Sequence, residues 1–238
     1  MGKLHLPSSA EEALNIRLGL SLTSDMDLHS RLRFILDSLS HQGFDVRPLV
    51  FRNPASEAEL VEVEHQLGIE LPSSLRGVLE LVSAHVEFRW FAPKEESFAE
   101  PFHQNFCGEM HWSLPLLLQY AQDKQQWIET VFPNPDDPYD HVWHNKLAFH
   151  EVGNGDYLAI DLDPISHGRV VYLSHDDGQG HGHVLAPSFE ELLERWVPLG
   201  CPGAEDWQWM PFTDSLTGPI DPVGANARQW RKLLQLDA

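Results

Sequence analysis

The chain has 238 residues, 42% of them hydrophobic and including eight Trp and twelve Phe, which is enough apolar side chain for a sizeable core and excludes global disorder. Against 36 Asp plus Glu stand only 16 Lys plus Arg, so the formal charge of −20 sets up a field that repels phosphates and argues against a nucleic-acid partner. The same charge attracts a basic protein, or simply keeps the surface solvated.

Residues 1–25 are of mixed polarity and read either as a loose arm or as a short packed helix. They lack the apolar core and cleavage signal of a secretory leader, and no later segment approaches the roughly 20 apolar residues needed to cross a bilayer. A cytoplasmic location with no membrane partner is expected. From Asp27 to Gln42, Leu28, Leu32, Ile35, Leu36 and Leu39 recur at helical spacing, with Asp27 at the start and Gly43 beyond the end. Arg31 and Arg33 fall on this helix without an accompanying basic stripe and are expected to be solvated.

The stretch SEAELVEVEHQLGIELPSSLRGVLEL, beginning at Ser56, describes two packed helices. Ser56 and Glu59 form a capping box, Leu60, Val63 and Leu67 supply the first apolar face, and Gly68 lets the chain leave the turn. Pro72 discourages continuation, Ser73 is placed to cap the second helix, and Leu75, Val78, Leu79 and Val82 form its buried side.

Phe88 and Trp90 alternate in a strand-like stretch and are expected inside, although aromatics of this kind can also mark a binding cleft. A helix follows Pro115 within Leu114 to Phe132, and NPDDPYD, Asn134 to Asp140, then reads as a surface turn. Asp136, Asp137 and Asp140 in that turn are candidate contacts for a basic partner, set against the plainer reading of an acidic loop.

Short strands are predicted through Leu147 and Phe149, after the turn Gly153 to Gly155 through Tyr157, Ala159 and Asp161, after Gly168 through Val170 to Leu173, and at Val184 and Leu185. They suit a twisted antiparallel sheet. Ser188 and Glu191 can cap a closing helix whose face is Phe189, Leu192, Leu193 and Trp196, and a last helix runs from Ala225 to Leu236.

Four separated motifs, the helix pair, EVGNGDYLAIDLD, GRVVYLSHDD and APSFEELLERW, together resemble the SUKH superfamily, named in part for the fungal Smi and Knr proteins. The resemblance implies an α+β fold of helices on a mainly antiparallel sheet, and binding roles rather than one reaction. Several bacterial members are similar to immunity proteins that neutralise toxins, while fungal members are scaffolds in cell-wall regulation. The expected organisation is an N-terminal extension over 1–50, a core over 51–197 with an internal elaboration, and a C-terminal extension over 198–238 packed on the core.

HDDGQGHGH is the densest polar constellation. His175, Asp176 and Asp177 are candidate partner contacts, while His175, His181 and His183 could complete a Zn or Ni site if the glycines folded them together. The alternative is that all are ordinary loop residues. Asp156, Asp161 and Asp163 likewise invite a metal reading but suit turn stabilisation or a charged surface better.

A His–Asp pair can act as a general base, yet the chain shows no matched nucleophile or oxyanion arrangement. There is no Gly-rich phosphate loop followed by Lys-Ser or Lys-Thr, no HExxH, and GNGD leads into a strand rather than a helix. Cys107 and Cys201 are too few for a tetracysteine metal site and read as ordinary thiols.

No cofactor and no catalytic residue is expected. The expected function is therefore a non-enzymatic protein-binding module, with a basic toxin as candidate partner. A regulatory scaffold without a toxin, or a metal-dependent hydrolase at the histidine loop, is the alternative. Self-association through the terminal additions would make a homodimer.

Overall fold

The computed structural model describes residues 27–94, 98–176, 178–213, 215 and 217–237; the segment before Asp27 and the candidate contact Asp177 lie outside the described residues. Helix α1 (Leu28–His41) buries Leu32, Ile35, Leu36 and Leu39 on one stripe. Its start is fixed by the Asp27 carboxylate, which accepts from the Ser30 N–H at 2.7 Å. Arg33 is exposed, but burial at the α1 packing surface holds the Arg31 guanidinium below its ordinary range, so only one of the two is simply solvated.

Two short strands, β1 (Asp45–Val46) and β2 (Val50–Phe51), precede the helix pair α2 (Glu57–Leu67) and α3 (Ser73–Leu81). Ser56 and Glu59 close the capping box reciprocally, and Gly68 ends α2 at φ 70°. Nothing lies within 4 Å of where a Cβ would sit on Gly68, so the left-handed backbone and not crowding requires glycine there. Ser73 departs from expectation: α3 is capped by Pro72, whose carbonyl accepts from the Arg76 N–H at 2.9 Å, and no side chain caps it. The neighbouring hydroxyl is the one employed, since Ser74 Oγ accepts from the Phe189 N–H at 3.3 Å and ties α3 to the closing helix.

The described residues build two four-stranded antiparallel sheets where one was expected. In the first, β3 (His85–Phe91) pairs along its whole length with β4 (Cys107–Ser113), while β1 and β2 share its other edge. Val86, Phe88 and Trp90 point into the core and Glu87 and Arg89 outward, the alternation a one-sided sheet demands.

The second sheet is a meander of β5 (Lys146–Glu151), β6 (Tyr157–Asp161), β7 (Val170–Leu173) and β8 (Val184–Ala186). It is covered on both faces. Leu147, Phe149, Leu158, Ile160, Val170 and Tyr172 join the main core, while Ala148, Tyr157, Ala159, Val171 and Leu173 pack under Tyr120 and Ile128 of α4 (Leu116–Thr130), with Phe132 and Trp143.

The sheets meet through two histidines. The His111 N–H of β4 donates to His150 Nδ1 of β5 at 3.3 Å, and the rings stack with centroids 3.8 Å apart. The closing helix α5 (Phe189–Trp196) starts where Ser188 Oγ accepts from the Glu191 N–H, and it buries the four apolar residues of its face.

Beyond α5, the short α6 (Asp206–Trp209) and α7 (Ala225–Leu233) return to the first sheet. Trp230 of α7 is fully buried beside Trp90, and the two indoles donate to the carbonyls of Leu199 and Gly200 at 2.9 and 2.7 Å. Among the described residues no helix is long and apolar enough to cross a membrane.

Candidate protein-binding face

The acidic turn is held by its own carboxylates. Asp137 Oδ1 accepts from the Tyr139 and Asp140 N–H groups at 2.8 and 3.3 Å, and Asp140 Oδ2 accepts from the Asn134 N–H at 3.0 Å. Asp136 differs: its backbone N–H donates to Asn134 Oδ1, and its exposed carboxylate bonds no described residue. Of the three candidate contacts in this turn, Asp136 therefore offers a charge with no structural duty, while Asp137 and Asp140 build the loop.

The histidine loop is anchored from beneath by Asp156, which is 2% exposed. Asp156 Oδ1 accepts from the His175 N–H at 2.8 Å and from its ring Nδ1 at 2.6 Å. Oδ2 accepts from Asn154 Nδ2 at 2.8 Å and from the Tyr172 hydroxyl. Because an ionised carboxylate only accepts, the His175 proton at this contact sits on Nδ1.

Burial, followed by the bond to Asp156 and its charge, pushes the Tyr172 hydroxyl far above its ordinary range, so it stays a donor. Gly155, at φ 98°, forms the turn that brings Asn154 and Asp156 under the loop. The GNGD motif thus encodes a buried acceptor for the next loop, which its reading as a turn stabiliser only partly anticipates.

The three histidines considered as a metal set go to different partners. His181 accepts from the Ser174 N–H through Nδ1 at 3.1 Å and donates to the Tyr139 carbonyl through Nε2 at 2.9 Å, while His183 Nε2 donates to the Gly218 carbonyl at 2.7 Å. Among the described residues the grouping with ligand atoms within 4.8 Å of one another is instead Asp156, His175 and Asp176. Its donors are already committed: Asp156 serves four N–H and O–H groups, and Asp176 Oδ1 accepts from Ser174 Oγ at 3.0 Å. A cation there would displace the bonds that hold the loop.

Asp161 and Asp163 are spent on Lys146, whose Nζ lies 3.1 and 3.3 Å from them. Burial works against ionisation of Asp163, but the hydrogen bond from Asn145 and the charge and hydrogen bond of Lys146 outweigh it and leave the carboxyl below its usual range. A second lysine, Lys124, is buried beneath the same turn with its Nζ on the Trp143 carbonyl at 3.3 Å. Burial, reinforced by the Lys146 charge, lowers it to about 8.

The acidic turn and the histidine loop are packed together. The Tyr139 hydroxyl and Trp143 Nε1 both donate to the Ser174 carbonyl at 3.1 Å, and the Tyr139 and His181 rings stack at 3.7 Å. Trp127 of α4 borders them, 5.2 Å from the His175 ring. The Gly180 N–H continues the surface by donating to Asp206 Oδ2 at 2.9 Å. Exposed Asp136, Asp137 and Asp176 and half-buried Asp140 thus belong to one connected set of loops, which meets half-buried Asp206 at the start of α6.

This is an α+β module whose helices and sheets share a buried core and whose candidate contact residues lie in the segments that connect them. The sequence pattern of the SMI1 / KNR4 family (SUKH-1) matches residues 54–195, more than half of the chain, and the chain belongs to this family. No curated protein matches it.

Proposed function

We propose that this chain is a non-enzymatic protein-binding module that presents the acidic turn and the histidine loop to a basic partner, and that the partner is a toxin it neutralises. The observation that carries the reading is the packing of Tyr139 on His181, which joins two loops remote in sequence into one carboxylate-bearing surface. The net charge of −20 supports a basic partner, since complementary fields speed encounter and disfavour acidic competitors. Family membership supports a binding role, and the side chains at the loops support it too: Asp137, Asp140 and Asp156 hold backbone and leave Asp136 and Asp176 as the outward charges.

The test is calorimetric titration of the purified chain with an inactive form of the protein encoded by the neighbouring reading frame. Saturable binding is expected, weakened about tenfold when Asp136→Asn and Asp176→Asn are combined, as removal of two interface charges predicts. Absence of binding overturns the toxin assignment. Binding indifferent to both substitutions moves the interface away from these loops.

A further inference from the structure

Six of the eight tryptophans are fully buried; the two that keep some exposure are Trp127, beside His175, and Trp207. Trp207 is paired with Phe106, 52% exposed, their ring centroids 5.8 Å apart and their planes inclined by 33°. An exposed Phe106 ring lying against a half-buried indole forgoes part of the burial that such area normally finds, and the pair makes a ready anchor at an interface.

The indole is not free to turn. Its Nε1–H donates to Glu205 Oε2 at 2.8 Å, which holds a carboxylate against the edge of the aromatic pair. A carboxylate has about four acceptor positions, and the Trp207 N–H together with the backbone N–H that Glu205 caps at the start of α6 leaves capacity for a donor from outside.

The charge around this carboxylate is negative. Burial raises the Glu205 carboxyl above its usual range, and Asp156, Asp206 and Glu109 add to the effect while the Trp207 bond opposes it. Glu109, one of these acids, is paired with Arg89 of β3. An incoming positive group therefore meets a carboxylate set among acidic neighbours, beside the exposed Phe106 ring and the half-buried Trp207 indole.

We propose that Phe106, Trp207 and Glu205 form a receptor for an arginine side chain of the basic partner. This rests on the reading that the partner is a basic protein, and it adds the residue type recognised and the place. Arginine fits better than lysine because a planar guanidinium stacks on an aromatic face while its N–H fork meets a carboxylate, whereas an ammonium does only the second well.

The site is continuous with the acidic loops through Asp206, which bonds Gly180 on one side and precedes Trp207 on the other. Glu205 and Trp207 lie after residue 195, outside the family match, so the receptor belongs to the additional C-terminal segment together with Phe106 at the foot of β4.

The probe is the capped peptide Ac-Gly-Arg-Gly-Arg-Gly-NH2, titrated into the full chain labelled with nitrogen-15, with its lysine counterpart as control. The indole N–H resonance of Trp207, assigned by its loss in Trp207→Phe, is expected to move saturably with the arginine peptide and at least about threefold more weakly with the lysine peptide. Phe106→Ala and Glu205→Gln should each weaken the arginine response about fivefold or more, with the remaining indole resonances in place to show that the fold is kept. An unmoved Trp207 signal, or equal responses to the two peptides, overturns the proposal.

The Asp136→Asn, Asp176→Asn double variant should leave this peptide response within about twofold, because those groups only add to the distant field. A partner that binds the chain through Asp136 and Asp176 but ignores Phe106→Ala and Glu205→Gln sinks the receptor and leaves the acidic face standing. A peptide response at Trp207 with no basic protein partner does the reverse.

Discussion

Asp156 shows how one buried side chain can organise a surface it does not itself reach. Four donors converge on its two oxygens, two of them from His175, so its charge is compensated by geometry rather than by a lysine or arginine. In Asp156→Asn one oxygen becomes an NH2 that faces donors. A loss of about 2–4 kcal/mol in urea unfolding is expected, the scale of a charged hydrogen bond removed with a partner left unsatisfied. A loss below about 1 kcal/mol would mean that water replaces the carboxylate at low cost.

Gly108 is a different kind of constraint. A Cβ there would sit 2.1 Å from Trp90 Nε1 and 2.6 Å from the Gly200 carbonyl that this indole bonds. Gly108→Ala should displace the indole, break that bond and cost about 2–3 kcal/mol, read as a lower midpoint in denaturant. An unchanged midpoint would show that the strand shifts freely.

Among the elements, the junction of the two sheets carries a histidine that responds to acid. His150 accepts from the His111 N–H through Nδ1 and is wholly buried, with its Nε2 3.9 Å from Glu109 and short of a bond. His111 stacks on it and bonds the Tyr120 hydroxyl at 3.1 Å. Burial, followed by repulsion from His150, Arg89 and His85, lowers the His111 imidazole to about 2.

A base whose folded value is depressed below its unfolded 6.5 contributes full stability above about 6.5 and loses it as pH falls toward 2, because the unfolded chain takes up the proton first. The expected slope from this group is about 1.4 kcal/mol per pH unit in that window. His111→Gln, compared with the parent between pH 6.5 and 4, should flatten the pH dependence by that amount; parallel curves would place the acid response elsewhere.

This junction was not legible in the sequence, and the reason is physical. The helix pair is written in local signals: Ser56 with Glu59, Gly68, and apolar residues at helical spacing that interact within a few turns. The junction depends on two histidines in strands that meet only after both sheets form. CGEMHWS does not announce a strand because its inward positions include Gly108, chosen for closeness to Trp90 rather than for strand preference. In the second sheet both faces are covered, so alternation carries no information about which residues face the main core. The candidate face was half legible: NPDDPYD and HDDGQGHGH stand out as polar loops, whereas the Tyr139–His181 stack and the Phe106–Trp207 pair unite segments that no local pattern connects.

At the scale of the whole molecule, a charge of −20 and a few anchored aromatics act on different parts of an encounter. The summed field reaches about 8–10 Å at ordinary ionic strength and steers a basic partner before contact, while apolar burial operates only once water is expelled. Asp136 and Asp176 belong to the first category, being outward and exposed, and Phe106 with Trp207 to the second. Stopped-flow association with the basic partner should therefore slow as salt is raised. The combined Asp136→Asn, Asp176→Asn variant should lower the association rate by about threefold to tenfold with dissociation nearly unchanged, as rim charges do. Phe106→Ala should leave association within about twofold and speed dissociation by about tenfold, the effect of losing a buried aromatic anchor. If the charge variants acted on dissociation instead, their carboxylates would be desolvated in the complex, and the centre of the interface would lie at the histidine loop rather than at the aromatic pair.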